Sequence, residues 1–534
     1  MKKVDDTDKN NAELLKLNKK VFRENASLKN ERDVLKKELA ALLEENKYLK
    51  VKLYGQSSEK FVNPKDLPDE DKIFNEAEIA PTEDEASDED EVDKSDSTDS
   101  DIKNSAPKKK RKPKRTTLPK NLPRQSIEID LKEEDKVCAC GCQKNRIGEE
   151  ITEKLEVIPA QCFIQEYIRY KYACKNCETG VSIAPMPDLF LPKSIAGSGL
   201  VAQTAINKYA NHLPLYRQEG MWDALDLKMP RNTLCNWLMN AYEKCMPLWH
   251  VIKTKLQSDS YLQSDETPVQ VLAEEDRTNK QKSFMWVYQS MSTDNRLVLF
   301  DYQETRAANN VKGMLEKFKG YLQTDAYKGY DWVDKESDIT HLGCMAHARR
   351  PFAELVKTTK KIGKSHQAIA FFRQLYAVEK EARVKKLAAQ ERFQLRLDKS
   401  LPVLNKLNAW LETSIKTAAS GSKLHKAIEY MLNHWDVLTN YLKDGRLEID
   451  NNSTERQIRP FALGKKNWLF AASPRGAKAS SLFYSLIASA KCNDLKPCDY
   501  LKYVFDNIGK CKTTADFERL LPFNCNLPKK IDDP

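Results

Sequence analysis

Between residues 258 and 355 the chain is written in period two. SYLQSDETPVQVL, SFMWVYQSMS and RLVLFDYQ each alternate apolar and polar residues, and Thr293, Asp294 and Asn295 read as a turn between the second and third. AANNVKGMLEKFKG then switches to helical spacing, YLQTDAY returns to a strand, and DITHLGCMAHARRPFAEL reads as a strand running into a helix. Strand–strand–strand–helix–strand predicts an α/β domain built on a mixed sheet. Two of the strands share the pattern Tyr-Leu-Gln-Ser/Thr-Asp and end on Asp265 and Asp325. If their ends are adjacent, two carboxylates meet, and each raises the other's pKa unless a divalent cation lies between them. Either aspartate alone reads more readily as a turn former or helix cap, and it is the pairing, with a third acid available, that shifts the balance.

A third acid lies in DNNSTERQIRPFALGKKNW, residues 450–468. Asp450, Asn451, Asn452 and Ser453 are capping residues, so a helix is expected to begin there, with Glu455 in its first turn. Arg459 falls one turn later on the same face, where an ordinary Glu–Arg pair would suffice to explain both. Three hard oxygen donors on a sheet and a helix suit Mg²⁺ or Mn²⁺. Such ions promote phosphodiester chemistry, and Arg456, Arg459, Lys465 and Lys466 would then hold DNA phosphates.

The rest of the chain divides by composition. Residues 1–55 place Leu14, Val21, Leu28, Leu35, Leu42 and Leu49 at seven-residue intervals, with Asn18, Asn25, Arg32, Leu39, Asn46 and Leu53 four residues after each. That is a leucine-zipper-like coiled coil, expected to join copies of the chain, with asparagines that favour two strands. Residues 56–120 lack periodicity. Within them, 66–101 carry 17 acidic residues against two lysines, a net of −15, so the remainder of the chain carries +25. A disordered acidic linker is expected, followed by PKKKRKPKR, whose Lys109, Lys110 and Arg111 either grip a phosphate backbone or neutralise the acidic neighbour.

Residues 121–190 hold a C-x2-C pair, Cys174 and Cys177, downstream of Cys138, Cys140 and Cys142. Two such knuckles supply a tetrahedral structural Zn²⁺, although the upstream spacing is irregular and free thiols are the alternative. The odd total of 13 cysteines argues against a disulfide framework. Residues 191–255 are helical, and LKMPRNTLCNWLMNAY resembles a helix-turn-helix with Arg231, Asn232 and Thr233 opening the second helix toward DNA; a plain helical hairpin would read alike. No apolar run reaches the roughly 18 residues of a membrane span, and MKKVDDTDKN has no apolar stretch behind its lysines, so neither a membrane anchor nor a signal peptide is expected.

Several segments together carry a resemblance. DETP at 265–268, TDAYKGY at 324–330, CMAHARRPF at 344–352 and NNSTERQIRPFALGKKNWLFAASPRGAKASSLFYSLI at 451–487 resemble the transposases of the insertion sequence 66 family. IGEEITEKLEVIPA, KYACKNC and the zipper leading into LYGQSSEKF are similar as well, whereas the acidic insert at 66–101 is peculiar to this chain.

The resemblance implies a DDE transposase with a ribonuclease-H-like core at 256–490 and a helical insertion at about 353–445. It is preceded by the coiled coil, the zinc-ribbon-like DNA-binding module and the helix-turn-helix-like region, and followed by a tail at 491–534. By matching motifs, Asp265, Asp325 and Glu455 are its catalytic metal ligands. Cys138, Cys140, Cys174 and Cys177 hold its zinc, with Cys142 as substitute because Cys138 stands one residue off the family's C-x2-C-G pattern. The implied partners are double-stranded DNA (element ends and target), further copies of the chain and accessory proteins of the same element. The implied place is the bacterial cytoplasm, on the nucleoid when DNA-bound. The implied reaction is water attack at the element's ends, then attack of the freed 3′-hydroxyl on target DNA. His347 could touch DNA or a leaving oxygen and Trp468 could stack on a base, but structural roles are preferred for both. A nuclease that cuts without joining, and a zinc-containing DNA-binding protein without catalysis, are the competing readings.

Overall fold

The computed structural model describes residues 19–22, 24–32, 35–36, 39, 162–173, 181–292, 295–325, 328–330, 332–333, 336–358 and 363–528. Most of the heptads, the acidic and basic linker with Lys109, Lys110 and Arg111, and the cysteines Cys138, Cys140, Cys142, Cys174 and Cys177 lie outside these residues. Residues 19–22, 24–32, 35–36 and 39 are helical, and Val21, Leu28, Leu35 and Leu39 are exposed among them.

By its internal contacts the chain forms two units. In the smaller, strands β1 (Lys171–Ala173) and β2 (Val181–Ile183) pair antiparallel, Tyr172 opposite Ser182. Arg169 Nε donates to the Ala184 carbonyl at 2.7 Å. The strands flank Cys174 and Cys177 in sequence, β1 ending one residue before Cys174.

In the larger unit the central element is a five-stranded sheet of β3 (Tyr261–Gln270), β4 (Lys282–Ser290), β5 (Val298–Gln303), β6 (Gly320–Gln323) and β7 (Ile339–Leu342), ordered β5-β4-β3-β6-β7. The first three run antiparallel, while β6 and β7 are parallel to β3. Two-residue alternation specifies the register. Gly320 opens β6 at φ +135, and any Cβ there would collide with the Ser260 carbonyl, so only glycine lets β6 close on β3.

Helices α1 (Ser198–Tyr209), α2 (Leu215–Asp223) and α3 (Arg231–Gln257) precede the sheet, and α4 (Ala308–Leu315) crosses from β5 to β6. Helix α5 (Met345–Thr358) follows β7. Helices α6 (Lys364–Val384), α7 (Ala389–Leu395), α8 (Leu401–Thr417), α9 (Lys423–Asn433) and α10 (Trp435–Thr439) then form the helical stretch, with a π turn at Arg396–Ser400 between α7 and α8. Helices α11 (Asn452–Trp468), α12 (Pro474–Cys492), α13 (Pro497–Asn507) and α14 (Thr514–Glu518) end the unit.

One apolar core joins the sheet with α1, α3, α11, α12 and α13; a second joins β7 and α5 with the inserted helices. Helix α12 lies against β5 because its buried residues are mostly small. Ser485 and Ser489 accept hydrogen bonds from the Phe300 and Val298 amides at 2.8 and 2.9 Å. The edge strand's outward amides are thereby satisfied by side chains of a covering helix.

One expectation is corrected here and another gains detail. The segment read as helix-turn-helix-like comprises α2, a turn and the start of α3. Helix α3 runs for 27 residues, buries Leu234, Leu238, Cys245, Leu248, Ile252 and Leu256, and donates from Trp249 Nε1 to the Phe300 carbonyl of β5 at 3.1 Å. The region expected as a tail, 491–534, is packed over its described part, to residue 528, since Tyr500, Leu501, Val504, Phe505 and Leu521 are buried in the core.

Candidate active site

The repeated Tyr-Leu-Gln pairs with itself. Tyr261 faces Tyr321, Leu262 faces Leu322 and Gln263 faces Gln323 across the parallel β3–β6 ladder. Asp265 and Asp325 are therefore at equivalent positions, each two residues past the last pair. Asp265 does not end its strand, as expected from sequence: β3 continues to Gln270, held by β4, with Asp265 opposite Val287. Asp325 lies just beyond β6.

The buried glutamines explain how a distant helix reaches these strands. Gln263 Nε2 donates to Gln323 Oε1 at 2.8 Å and to the Asp450 carbonyl at 3.1 Å. Gln323 Nε2 donates to the Glu448 carbonyl at 2.9 Å. Thr454 Oγ1 donates to Gln263 Oε1 at 3.1 Å. Asn451, fully buried, donates from Nδ2 to the carbonyl of Ser264, the residue before Asp265, at 2.9 Å. Asn451 is the N-cap of α11, but its side chain makes no cap hydrogen bond. The expected capping residue is spent on the sheet, and this tether places Glu455 in the first turn beside the strand acids.

Asp265, Glu266 and Asp325 each present a carboxylate oxygen, all within 4.8 Å of one another. Burial, then the charges of Glu266, Asp325 and Glu455, hold the Asp265 carboxyl well above the usual range. Burial and Asp325 push Glu266 to about 7 against the opposing pull of Arg306. The Glu266 side chain is 2% exposed. One of its oxygens accepts from Arg306 Nε at 2.6 Å, and the other has no hydrogen-bond partner. Arg306 also lies 4.0 Å from Asp325. Glu266 and Arg306 are site residues that sequence reasoning missed; the available signal was the second acid in DETP.

Glu455 has His347 Nδ1 at 3.5 Å and the Arg350 guanidinium at 3.8 Å beside it, not Arg459 one turn on. Burial holds the His347 imidazole below its ordinary value, although Glu455 opposes this. The four cations expected around Glu455 diverge. Arg456 is exposed and lines a cavity of about 250 Å³ with Gln289, Arg296 and Arg383. Arg459 is half-buried, and Lys466 is exposed. Lys465 donates to the Pro268 carbonyl at 2.6 Å, which ties α11 to β3 and occupies this cation. Trp468 packs edge-on against Phe461 at 5.5 Å, a core contact. Arg231 is exposed at the start of α3.

Comparison with known proteins agrees with this architecture. The family described as Transposase IS66 family matches residues 193–479, over half of the chain. The zinc-finger binding domain of transposase IS66 matches 135–178, a segment described as Transposase C of IS166 homeodomain matches 41–127, and the IS66 C-terminal element matches 485–523. The chain is similar to two uncharacterized proteins of Sinorhizobium fredii (strain NBRC 101917 / NGR234). It is 32% identical to y4jD over 76% of this chain and 81% of that protein, and 29% identical to y4hP over 72% of each. The chain belongs to the IS66 family of transposases.

Proposed function

We propose that this transposase cleaves DNA at the ends of its mobile element and joins the freed 3′-hydroxyls to target DNA, with Asp265, Asp325 and Glu455 as the catalytic acids. The observation that carries the reading is the convergence of Asp265 and Asp325 at matched register with Glu455 tethered beside them. We read the sheet, three antiparallel strands followed by two parallel ones, as a ribonuclease-H-like core with residues of about 353–445 inserted before the helix that bears Glu455.

The acids suit a hard divalent cation. Clustered, desolvated carboxylates are costly without one, and the second oxygen of Glu266 is buried without a partner. Asp265, Asp325 and Glu455 would hold Mg²⁺ or Mn²⁺, which activates the attacking oxygen and stabilises the leaving one in such reactions. Arg306 balances charge at Glu266 and Asp325. Arg350, half-exposed beside Glu455, together with Lys466 and Arg456 offers cations to the DNA backbone. His347, held neutral by burial, supports Glu455 without adding a charge. The exposed Val21, Leu28, Leu35 and Leu39 support self-association through the zipper. Among the described residues no helix is long and apolar enough to cross a membrane.

The test is strand transfer with element-end DNA and Mg²⁺. Glu455→Gln is expected to lower the joined product on the order of a thousandfold, the effect of about 4 kcal/mol in barrier. Joining at unaltered rate by this variant overturns the assignment. Nicking without joining by the unaltered chain instead identifies a nuclease, and end binding without nicking a DNA-binding protein. A second expectation concerns zinc. A fragment covering 120–195, purified without chelator, should carry about one zinc per chain, as a four-ligand structural site requires; clearly substoichiometric metal removes the ribbon.

A further inference from the structure

Cys344, just before α5, and His347, in its first turn, lie three residues apart. Cys344 is fully buried, and the side chains of His347 and Glu455 are only 22% and 20% exposed. One ligand atom from each of the three residues lies within 4.8 Å of the other two. Nδ1 of His347 and Oε1 of Glu455 face each other at 3.5 Å, and both are buried without a hydrogen-bond partner. The Cys344 sulfur accepts from the Asn451 amide at 3.3 Å, so the helix carrying Glu455 is docked against it.

Buried polar atoms left unpaired are rare in folded proteins, and an ion is one of the few causes. Zinc bonds of roughly 2.0–2.3 Å to thiolate, imidazole and carboxylate allow ligand atoms as close together as these. We propose that Cys344, His347 and Glu455 form a second metal site that takes a borderline-soft divalent cation of the Zn²⁺ class in preference to Mg²⁺. The preference follows from the donors, since a thiolate and an imidazole select zinc over hard cations. Binding releases the Cys344 thiol proton to solvent. Because Glu455 belongs to both donor sets, occupation of this site withdraws it from Asp265 and Asp325. Excess Zn²⁺ is therefore an inhibitor of strand transfer, a consequence that rests on the function proposed above, whereas the site itself rests on geometry alone.

The probe is Co²⁺, titrated into the chelator-stripped full-length protein and read by its sulfur-to-cobalt absorption. The zinc-ribbon cysteines contribute to that signal, so the readout is a difference between chains. The unaltered chain is expected to bind one equivalent more than Cys344→Ser or His347→Gln. Where Cys344→Ser fails to fold by circular dichroism, His347→Gln, at a partly exposed position, decides alone. Equal stoichiometry in the unaltered chain and the folded variants overturns the site. In the presence of Mg²⁺, excess Zn²⁺ should suppress strand transfer by the unaltered chain. Unsuppressed joining with the cobalt site filled overturns the inhibition. Absence of strand transfer under every condition counts against the proposed function and leaves the cobalt result to stand or fall separately.

Discussion

Asp265→Asn is expected to abolish strand transfer while making the metal-free protein more stable. Loss of a ligand that organises several kcal/mol of transition-state stabilisation costs at least about a thousandfold in rate. The stability gain has a different origin. In the folded chain Asp265 is desolvated and crowded by Glu266, Asp325 and Glu455, and its carboxyl titrates well above the usual range. An acid whose folded pKa exceeds its unfolded one destabilises the fold as pH rises above the unfolded value, because the unfolded chain gives up its proton first. The penalty is thus present at neutral pH and vanishes below the ordinary aspartate range, where both states are protonated. Asparagine removes it, by roughly 0.5–2 kcal/mol, the gain common for a single stabilising substitution. Thermal unfolding in chelator at pH 7 and again at about pH 3, below the ordinary aspartate range, measures this. The gain should be confined to the higher pH and should shrink when Mg²⁺ is present. Equal or lower stability of the variant at pH 7 without metal refutes the account of the cluster as mutually repelling.

The second large effect is expected far from the acids. Glu379 is fully buried between Arg396, also fully buried, and Arg392. Its oxygens accept from Arg396 at 2.8 and 2.9 Å and from Arg392 at 2.6 and 3.0 Å. The π turn at Arg396–Ser400 accompanies the inward placement of Arg396, whose guanidinium also donates to the Tyr441, Asp444 and Leu447 carbonyls. Arg392 continues the network to Glu448 at 2.9 Å. Glu379→Ala leaves buried guanidinium charge without its carboxylate, a change that costs about 3–5 kcal/mol. Denaturant unfolding followed by tryptophan fluorescence should show that loss, and a change below about 1 kcal/mol would rule out the network as a keystone of the inserted helices. Joining activity should fall as well, because the carbonyls that Arg396 holds and the Glu448 carboxylate that Arg392 holds belong to the segment that leads directly into Asn451 and Glu455.

What could be read from sequence follows from how local the signal is. The strands were legible because their alternation is local, and the meeting of Asp265 with Asp325 because the repeated Tyr-Leu-Gln pairs with itself in register. Glu266 was not legible. Neighbouring strand residues face opposite sides, and its burial depends on Arg306, 40 residues later. Nor was the role of Asn451, whose residue type predicts a cap while its side chain serves the sheet. Nothing local marks Glu379, Arg392 and Arg396 as buried, since such residues are almost never fully buried unless paired, and the pairing is set by the fold. Helix α3 was legible only in part. Its start carries helix-turn-helix features, and the apolar stripe continues through Leu248, Ile252 and Leu256. A stripe of that length marks a helix that also packs along a core.

The tether between Asn451 and the strand carrying Asp265 also sets a timetable. Glu455 follows Asp265 by 190 residues, so at roughly 5–20 residues per second the ribosome makes the third acid about 10–40 s after the first. During that interval the nascent chain can pair its first strands but holds an incomplete set of acids. Any product that terminates within the inserted helices lacks Asn451 and Glu455 altogether. On the function proposed above, translation thereby delays the competence to cut until the helix that bears Glu455 has been made, and chains truncated before it are born without that competence.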